Sequence, residues 1–144
     1  MRPTVTDINA YNVFKRGEAA IVRVLQHAPA IIVCATLLGE LLDCFAAMRR
    51  QNADRSELTK FLSLLRSKMV ASTAATADLY SLVHVALRGK DKSVSVIDLL
   101  IAARSLEHGA ALRTLDAHFQ NIDGLRGGAT GSIHSVMFIL FLQN

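Results

Sequence analysis

Short apolar segments alternate along the chain with longer stretches in which apolar residues recur every three or four positions. The short segments predict four strands. These are PTVT at 3–6, AIIVC at 30–34, KMVA at 68–71 and AALRT at 110–114. AIIVC has the strongest pattern and PTVT the weakest. Because AIIVC is apolar without interruption, we expect it to be buried on both faces of a sheet.

The longer stretches predict five helices, the first of which is GEAAIVRVLQHA at 17–28. The other four are expected to begin at side chains that can cap a helix, namely Thr36, Ser56, Thr73 and Ser95. The helix from Thr36 should extend to about Arg50. The helix from Ser95 should end at Gly109, which can adopt the left-handed conformation of a helix C-terminus.

Strands that alternate with helices predict an α/β fold, in which a short, mainly parallel sheet has helices on both faces. Right-handed crossovers would connect the strands. The expected architecture is therefore a three-layer α/β/α sandwich. A chain of 144 residues is long enough for one such domain.

Composition is that of a globular protein, since 51% of the residues are hydrophobic and only two are proline. The longest apolar run, VMFILFL at 136–142, is too short to span a bilayer, and MRPTVTDINAY lacks the apolar core of a signal peptide. Cys34 and Cys44 have neither zinc-binding nor redox spacing. We therefore expect free thiols, a cytoplasmic location and no membrane association.

Four acidic residues stand where the strands end or where helices begin. Asp7 follows the first strand, Glu40 lies near the start of the helix after the second, Asp98 is in the first turn of the last helix, and Asp116 follows the fourth strand. Ligands bind at the carboxyl edge of such sheets. Buried carboxylates need cations, and Mg²⁺ prefers carboxylate oxygens. An acidic metal-binding pocket is the resulting prediction.

Each acid also has a purely structural interpretation. Asp98 has capping-box spacing from Ser95, and Asp7 and Asp116 can cap a helix or a turn. Glu40 can lie exposed at the favourable end of its helix. The shared position of all four at one edge favours the common site.

Residues 96–125, VIDLLIAARSLEHGAALRTLDAHFQNIDGL, resemble the C-terminal signature of PIN-domain proteins, especially VapC-type toxin ribonucleases of bacterial toxin-antitoxin pairs. CATLLGELL at 34–42 and TDIN at 6–9 resemble the segments that carry the family's helix glutamate and its opening aspartate. The resemblance implies a PIN-like domain over 1–125. It leaves a C-terminal tail, 126–144, which would form an extra strand or a dimer contact.

The resemblance implies metal-dependent hydrolysis of RNA by Mg²⁺ or Mn²⁺. The implied metal ligands and catalytic residues are Asp7, Glu40, Asp98 and Asp116, with Asn9 and Thr114 as supporting polar groups. It also implies a homodimer and a cognate antitoxin protein. The five histidines show no metal-binding motif, so a histidine mechanism is disfavoured.

Three positions depart from the family's pattern: the polar first strand RPTVT, Ile8 in place of Ser or Thr, and Ile97 in place of a polar residue. A degenerate PIN-like domain that binds RNA or a protein partner without cleavage is therefore the alternative prediction.

The charge of the chain suits a nucleic acid partner. Sixteen Lys and Arg face twelve Asp and Glu, for a net charge of +4. With the four proposed site acids set aside, the rest of the molecule is strongly basic. Two basic clusters are candidates for phosphate contacts, Arg49, Arg50 and Arg55 in one and Arg88, Lys90 and Lys92 in the other.

Overall fold

A four-stranded parallel sheet with strand order β3-β2-β1-β4 lies at the centre of the protein. The structure is a computed structural model, and it describes residues 2–64, 66–114 and 116–125. The strands are β1 Thr4–Thr6, β2 Ile31–Cys34, β3 Ser67–Val70 and β4 Ala111–Arg113. All four predicted strands are therefore present. β1 forms although two of its three residues are polar, because threonine and valine are β-branched and favour strands.

Six α-helices and one 3-10 helix occur in the described part of the chain. They are α1 Ile8–Lys15, α2 Ala19–His27, α3 Ala35–Ala46, α4 Gln51–Leu62, α5 Ala74–Gly89, α6 Val96–Glu107 and the 3-10 helix Ala117–Asn121. The sequence predicted five helices and missed α1. That helix has only eight residues and follows β1 directly, which leaves too few turns for a clear period.

Two of the predicted helix starts are wrong. α3 begins at Ala35 and α4 at Gln51, so Thr36 and Ser56 lie inside helices. In α4 the buried side of the helix already begins at Asp54, which pairs with Lys15. This packing extends the helix upstream of the local capping signal. Tertiary contacts thus override the local preference.

The other two predicted starts are confirmed. The Thr73 hydroxyl accepts from the backbone N–H of Thr76, and the Ser95 hydroxyl accepts from that of Asp98. Gly109 ends α6 with a φ of +55°. Its N–H donates to Leu106 O at 3.1 Å, as expected for a left-handed helix end.

Helices cover both faces of the sheet, since every residue of β1 and β2 is buried. Register places Val5, Ile32 and Leu112 side by side on one face of three neighbouring strands. α6 packs against β1 and β4, and α5 packs against α6. The predicted three-layer sandwich is confirmed. Cys34 and Cys44 are free thiols, as their spacing predicted.

Within the described residues, no helix is both long enough and apolar enough to cross a membrane. The predicted tail, 126–144, lies outside the described residues. Its assignment as an extra strand or a dimer contact therefore stays a prediction.

Candidate metal centre

The four predicted acids lie at the carboxyl edge of the sheet. Asp7 follows β1 directly, and Asp116 lies three residues beyond the end of β4. Glu40 belongs to α3, which begins as soon as β2 ends, and Asp98 lies in the first turn of α6. Four separate segments thus contribute one acid each.

Asp7 is almost fully buried, with 3% of its surface exposed. Its Oδ1 accepts a hydrogen bond of 2.8 Å from the backbone N–H of Ala10, which makes Asp7 the N-cap of α1. Its Oδ2 accepts a hydrogen bond from the Thr114 hydroxyl. The capping role and the position at the sheet edge are therefore both present in one side chain.

Burial raises the pKa of Asp7 from 3.8 to about 6. The hydrogen bonds from Thr114 and Ala10 oppose this rise, and the negative charges of Asp98 and Asp116 add to it. Asp7 therefore lies within electrostatic reach of two of the other proposed ligands.

Glu40 is half-buried, and its pKa is also raised, first by burial and then by the negative charge of Asp98. Asp98 thus acts on both Asp7 and Glu40. We infer that Asp98 is the common neighbour that joins the two acids into one electrostatic cluster.

Ser95 fixes the position of Asp98. The Ser95 hydroxyl donates a hydrogen bond of 2.8 Å to Asp98 Oδ2. It also accepts a hydrogen bond of 3.1 Å from the backbone N–H of Asp98. The helix cap therefore holds the carboxylate as well as the backbone. The proposed functional position and the structural interpretation of Asp98 are compatible.

Asp116 is held by its neighbours in a similar way. Its Oδ1 accepts from the backbone N–H of His118 at 2.8 Å and lies 2.8 Å from His118 Nδ1. Its own N–H donates to the Thr114 hydroxyl at 2.9 Å. The sequence did not point to His118, although an Asp two residues before it is the spacing of an Asx turn.

The two supporting residues differ. Thr114 is buried and connects Asp7 with the backbone of Asp116. Asn9 is exposed on α1, and its side chain forms no hydrogen bond with any residue that the structure describes. The supporting role of Asn9 stays a prediction.

Residues 8–125 match the PIN domain family. The chain belongs to this family. Among curated protein sequences, none matches the chain.

Several solved structures share the PIN fold of this chain. VapBC2 from Rickettsia felis, bound to a DNA fragment from its promoter, is 21% identical with a TM-score of 0.75, covering 84% of this chain and 93% of that one. DNA-bound VapBC from Salmonella typhimurium is 18% identical with a TM-score of 0.74, covering 86% and 95%. VapC20 from Mycobacterium tuberculosis, described as a sarcin-ricin loop cleaving toxin, is 17% identical with a TM-score of 0.63, covering 88% and 99%. Identities this low show a shared fold.

The donor set of this PIN domain fits a hard divalent cation by its chemistry. All four acids offer carboxylate oxygens. Besides burial, the negative charge of Asp98 raises the pKa of both Asp7 and Glu40, and a bound cation would relieve that repulsion. As the side chains stand, no three Asp, Glu, His or Cys residues of the described ranges are grouped closely enough to hold one ion. The acids therefore interact electrostatically, but in the described residues their side chains are not arranged as a set of three ligands around one ion.

An open pocket of about 320 Å³ lies among α1, α3 and the start of α4, and none of the four acids lines it. Ile8, next to Asp7, and Leu41, next to Glu40, both line it. Arg49 and Arg50, two members of the first predicted basic cluster, also line it. The pocket is therefore bordered by basic side chains and adjoins the segments that carry Asp7 and Glu40.

Proposed function

We propose that this PIN domain is a metal-dependent endoribonuclease and the toxin of a toxin-antitoxin pair. The observation that carries the proposal is the convergence of four acids from four segments at one sheet edge, with Asp98 acting electrostatically on both Asp7 and Glu40. The shared fold with VapBC proteins, one of them described as an RNA-cleaving toxin, supports the same reading.

In this proposal Asp7, Glu40, Asp98 and Asp116 would hold Mg²⁺ or Mn²⁺. When bound there, the cation would supply an activated water and would stabilise the charge that develops on the phosphate. The carboxylates hold and orient, and none of them attacks the RNA. Attack by water would leave a 5′-phosphate and a 3′-hydroxyl on the products.

The chain's own residues keep the acids in place. Thr114 holds Asp7 through its hydroxyl and Asp116 through the backbone, and Ser95 holds Asp98. Arg49 and Arg50, which line the pocket between α1 and α3, have the charge to contact phosphates of an RNA strand. These roles follow from charge and position.

The partners of the proposed toxin are RNA, a cognate antitoxin and a second copy of this chain, all in the cytoplasm. The antitoxin would insert a cationic side chain, such as arginine, among the carboxylates. Burial raises the pKa of Asp7, and that pairing would offset the negative charges of Asp98 and Asp116, which add to the rise. It would also compete with metal.

The alternative function is a degenerate PIN domain that binds RNA or a protein partner without cleavage. Two observations favour it. Both carboxylate oxygens of Asp7 already accept hydrogen bonds from the protein, and no three ligand-type side chains of the described ranges are grouped around one point. A binding domain needs only the basic surface.

Cleavage of a mixed RNA pool by the purified protein distinguishes the two functions. The reaction is run with Mg²⁺ or Mn²⁺, with EDTA, and with the variants Asp98→Asn and Asp43→Asn. Asp43 is an exposed acid on α3 and is the matched control. We expect cleavage that requires metal, falls by about 100-fold or more in Asp98→Asn and persists in Asp43→Asn. RNA binding without metal-dependent cleavage would establish the binding domain instead.

A further inference from the structure

Arg113, the last residue of β4, is a partly buried cation without a counter-charge. Its Nε is buried and has no hydrogen-bond partner among the described residues. None of the twelve acidic residues of the chain, all of which lie in the described ranges, forms an ion pair with it. Burial lowers the pKa of its guanidinium, as expected where no anion compensates for lost hydration.

The other buried arginine, Arg104, forms an ion pair with an acidic residue, as is usual for a buried cation. Arg104 is 3% exposed, and its Nη1 lies 2.5 Å from Glu107 and 2.9 Å from the Thr76 hydroxyl. Leaving a buried charge unpaired costs several kcal/mol in general, so an unpaired arginine needs a reason. The Nε of Arg104, like that of Arg113, has no hydrogen-bond partner among the described residues, but only Arg104 pairs with an acid there.

A second unpaired polar group lies beside Arg113. Thr6 of β1 and Arg113 of β4 are register partners, so their side chains lie on the same face of adjacent strands. The Thr6 hydroxyl is fully buried and also has no partner in the described residues. Two unsatisfied polar groups therefore stand together where β1 and β4 end.

This position adjoins the candidate metal centre. The backbone N–H of Asp7 donates to the Arg113 carbonyl at 3.3 Å, and Thr114 is the next residue along the chain. Arg113 forms no ion pair with any of the four acids, so its charge is not used to neutralise them. The backbone of Arg113 therefore adjoins the site, while its charge stays separate from the proposed ligands.

Since no described acid pairs with Arg113, we infer that its anion comes from a bound molecule. Residues 1, 65, 115 and 126–144, which the structure does not describe, contain no Asp or Glu. A planar guanidinium donates two parallel hydrogen bonds to a phosphate, and the surplus of basic residues favours a nucleic acid.

We propose that Arg113 binds a backbone phosphate of the RNA strand. This inference rests on the proposed function for the identity of the strand. Arg113 is then a positioning residue that sets the register of RNA on the site.

The test measures affinity for a fluorescently labelled single-stranded RNA at several salt concentrations, in EDTA so that the strand stays intact. The variants are Arg113→Met and Arg113→Lys, with Arg23→Met as the control because Arg23 is an exposed arginine on α2. Arg113→Met should weaken binding about tenfold and reduce the salt slope by about 0.7, the contribution of one phosphate contact in a single strand. Arg113→Lys should restore the slope and only part of the affinity, and Arg23→Met should change neither.

Thermal unfolding separates RNA binding from a merely structural role. Removing an uncompensated buried cation should leave the Tm of Arg113→Met equal to or above that of the unchanged protein. A lower Tm together with an unchanged salt slope would overturn the proposal. Unchanged RNA binding with weaker binding to a protein partner would also overturn it, and would assign the anion to a carboxylate of that partner. Because the affinity is measured without metal, a failure of cleavage leaves this test intact.

Discussion

The Thr114 hydroxyl donates a hydrogen bond to the carboxylate of Asp7, a residue 107 positions earlier in the chain. The same hydroxyl accepts from the backbone N–H of Asp116 at 2.9 Å. One small side chain on the edge strand's extension thereby fixes two of the four proposed ligands relative to each other. The candidate site depends on this link because Asp7 is too buried to be held by water.

Thr114→Val should therefore lower stability and raise the pKa of Asp7. Valine keeps the volume and removes the donor, so the Asp7 carboxylate loses a hydrogen bond in a buried position, at a cost of about 1–3 kcal/mol in unfolding free energy. The pKa of Asp7 should rise further above about 6. Chemical denaturation and carboxyl NMR measure the two effects, and Thr114→Ser should preserve both. Equal stability of the valine variant would contradict the link.

Asp7→Asn should stabilise the metal-free protein at neutral pH while abolishing cleavage. The folded pKa of Asp7 is raised above 3.8, so the native state binds the proton more tightly than the unfolded state. Protonated Asp7 adds to the unfolding free energy, and this contribution is complete below the unfolded pKa of 3.8. The contribution, about 3 kcal/mol, is lost as pH rises through the folded pKa of about 6. In EDTA, the unfolding free energy should fall less between pH 3.8 and about 6 in Asp7→Asn than in the unchanged protein. An unchanged pH slope would be inconsistent with the raised pKa.

Ser95→Ala should lower the unfolding free energy by about 1 kcal/mol through loss of the α6 cap. It should also reduce cleavage, because the Ser95 hydroxyl bonds to the Asp98 carboxylate. Ser56→Ala is the matched control, since Ser56 lies inside α4 and caps no helix. Thermal unfolding and RNA cleavage are the two measurements. Equal losses in both serine variants would remove the special role of Ser95.

Glu107→Gln should destabilise the protein at neutral pH and not at acidic pH. Hydrogen bonds from Thr76 and Thr73, together with the charge of Arg104, lower the pKa of Glu107 below 4.5. Stability from this group is present above 4.5 and is lost as pH falls through the lowered folded value.

The expected loss in Glu107→Gln at pH 7 is about 2 kcal/mol, because the replaced carboxylate accepts charge-assisted hydrogen bonds in a partly buried network. Glu57→Gln, which affects a more exposed pair with Lys15, should cost less than about 1 kcal/mol. Denaturation of both variants across the acidic range measures the difference. A loss that persists undiminished at low pH would refute the assigned charge network.

The sequence was a good guide to the sheet and a poorer one to the helix boundaries. Strands such as AIIVC are short and uniformly apolar, so their pattern does not depend on distant residues. α1 was missed because eight residues give little periodicity. Ser56 was expected to cap α4, and the pairing of Asp54 with Lys15 instead extends that helix upstream.

The composition of the candidate site followed from topology, since parallel strands bring their carboxyl ends together. The electrostatic interactions among the site residues did not follow from topology. The action of Asp98 on both Asp7 and Glu40 depends on register and burial, which local patterns do not determine. The same holds for the Nε of Arg113, which has no partner in the described ranges. The contact between His118 and Asp116 depends on the geometry of a single turn.

Titration of the full chain with Mn²⁺ by calorimetry tests the shared metal site most directly. The proteins compared are the unchanged chain, the single variants Asp7→Asn, Glu40→Gln, Asp98→Asn and Asp116→Asn, and the control Asp43→Asn. We expect Mn²⁺ binding to weaken by at least about tenfold in each of the four site variants and to be unchanged in the control. Absence of Mn²⁺ binding by the folded chain, or binding that none of the four substitutions weakens, would contradict it.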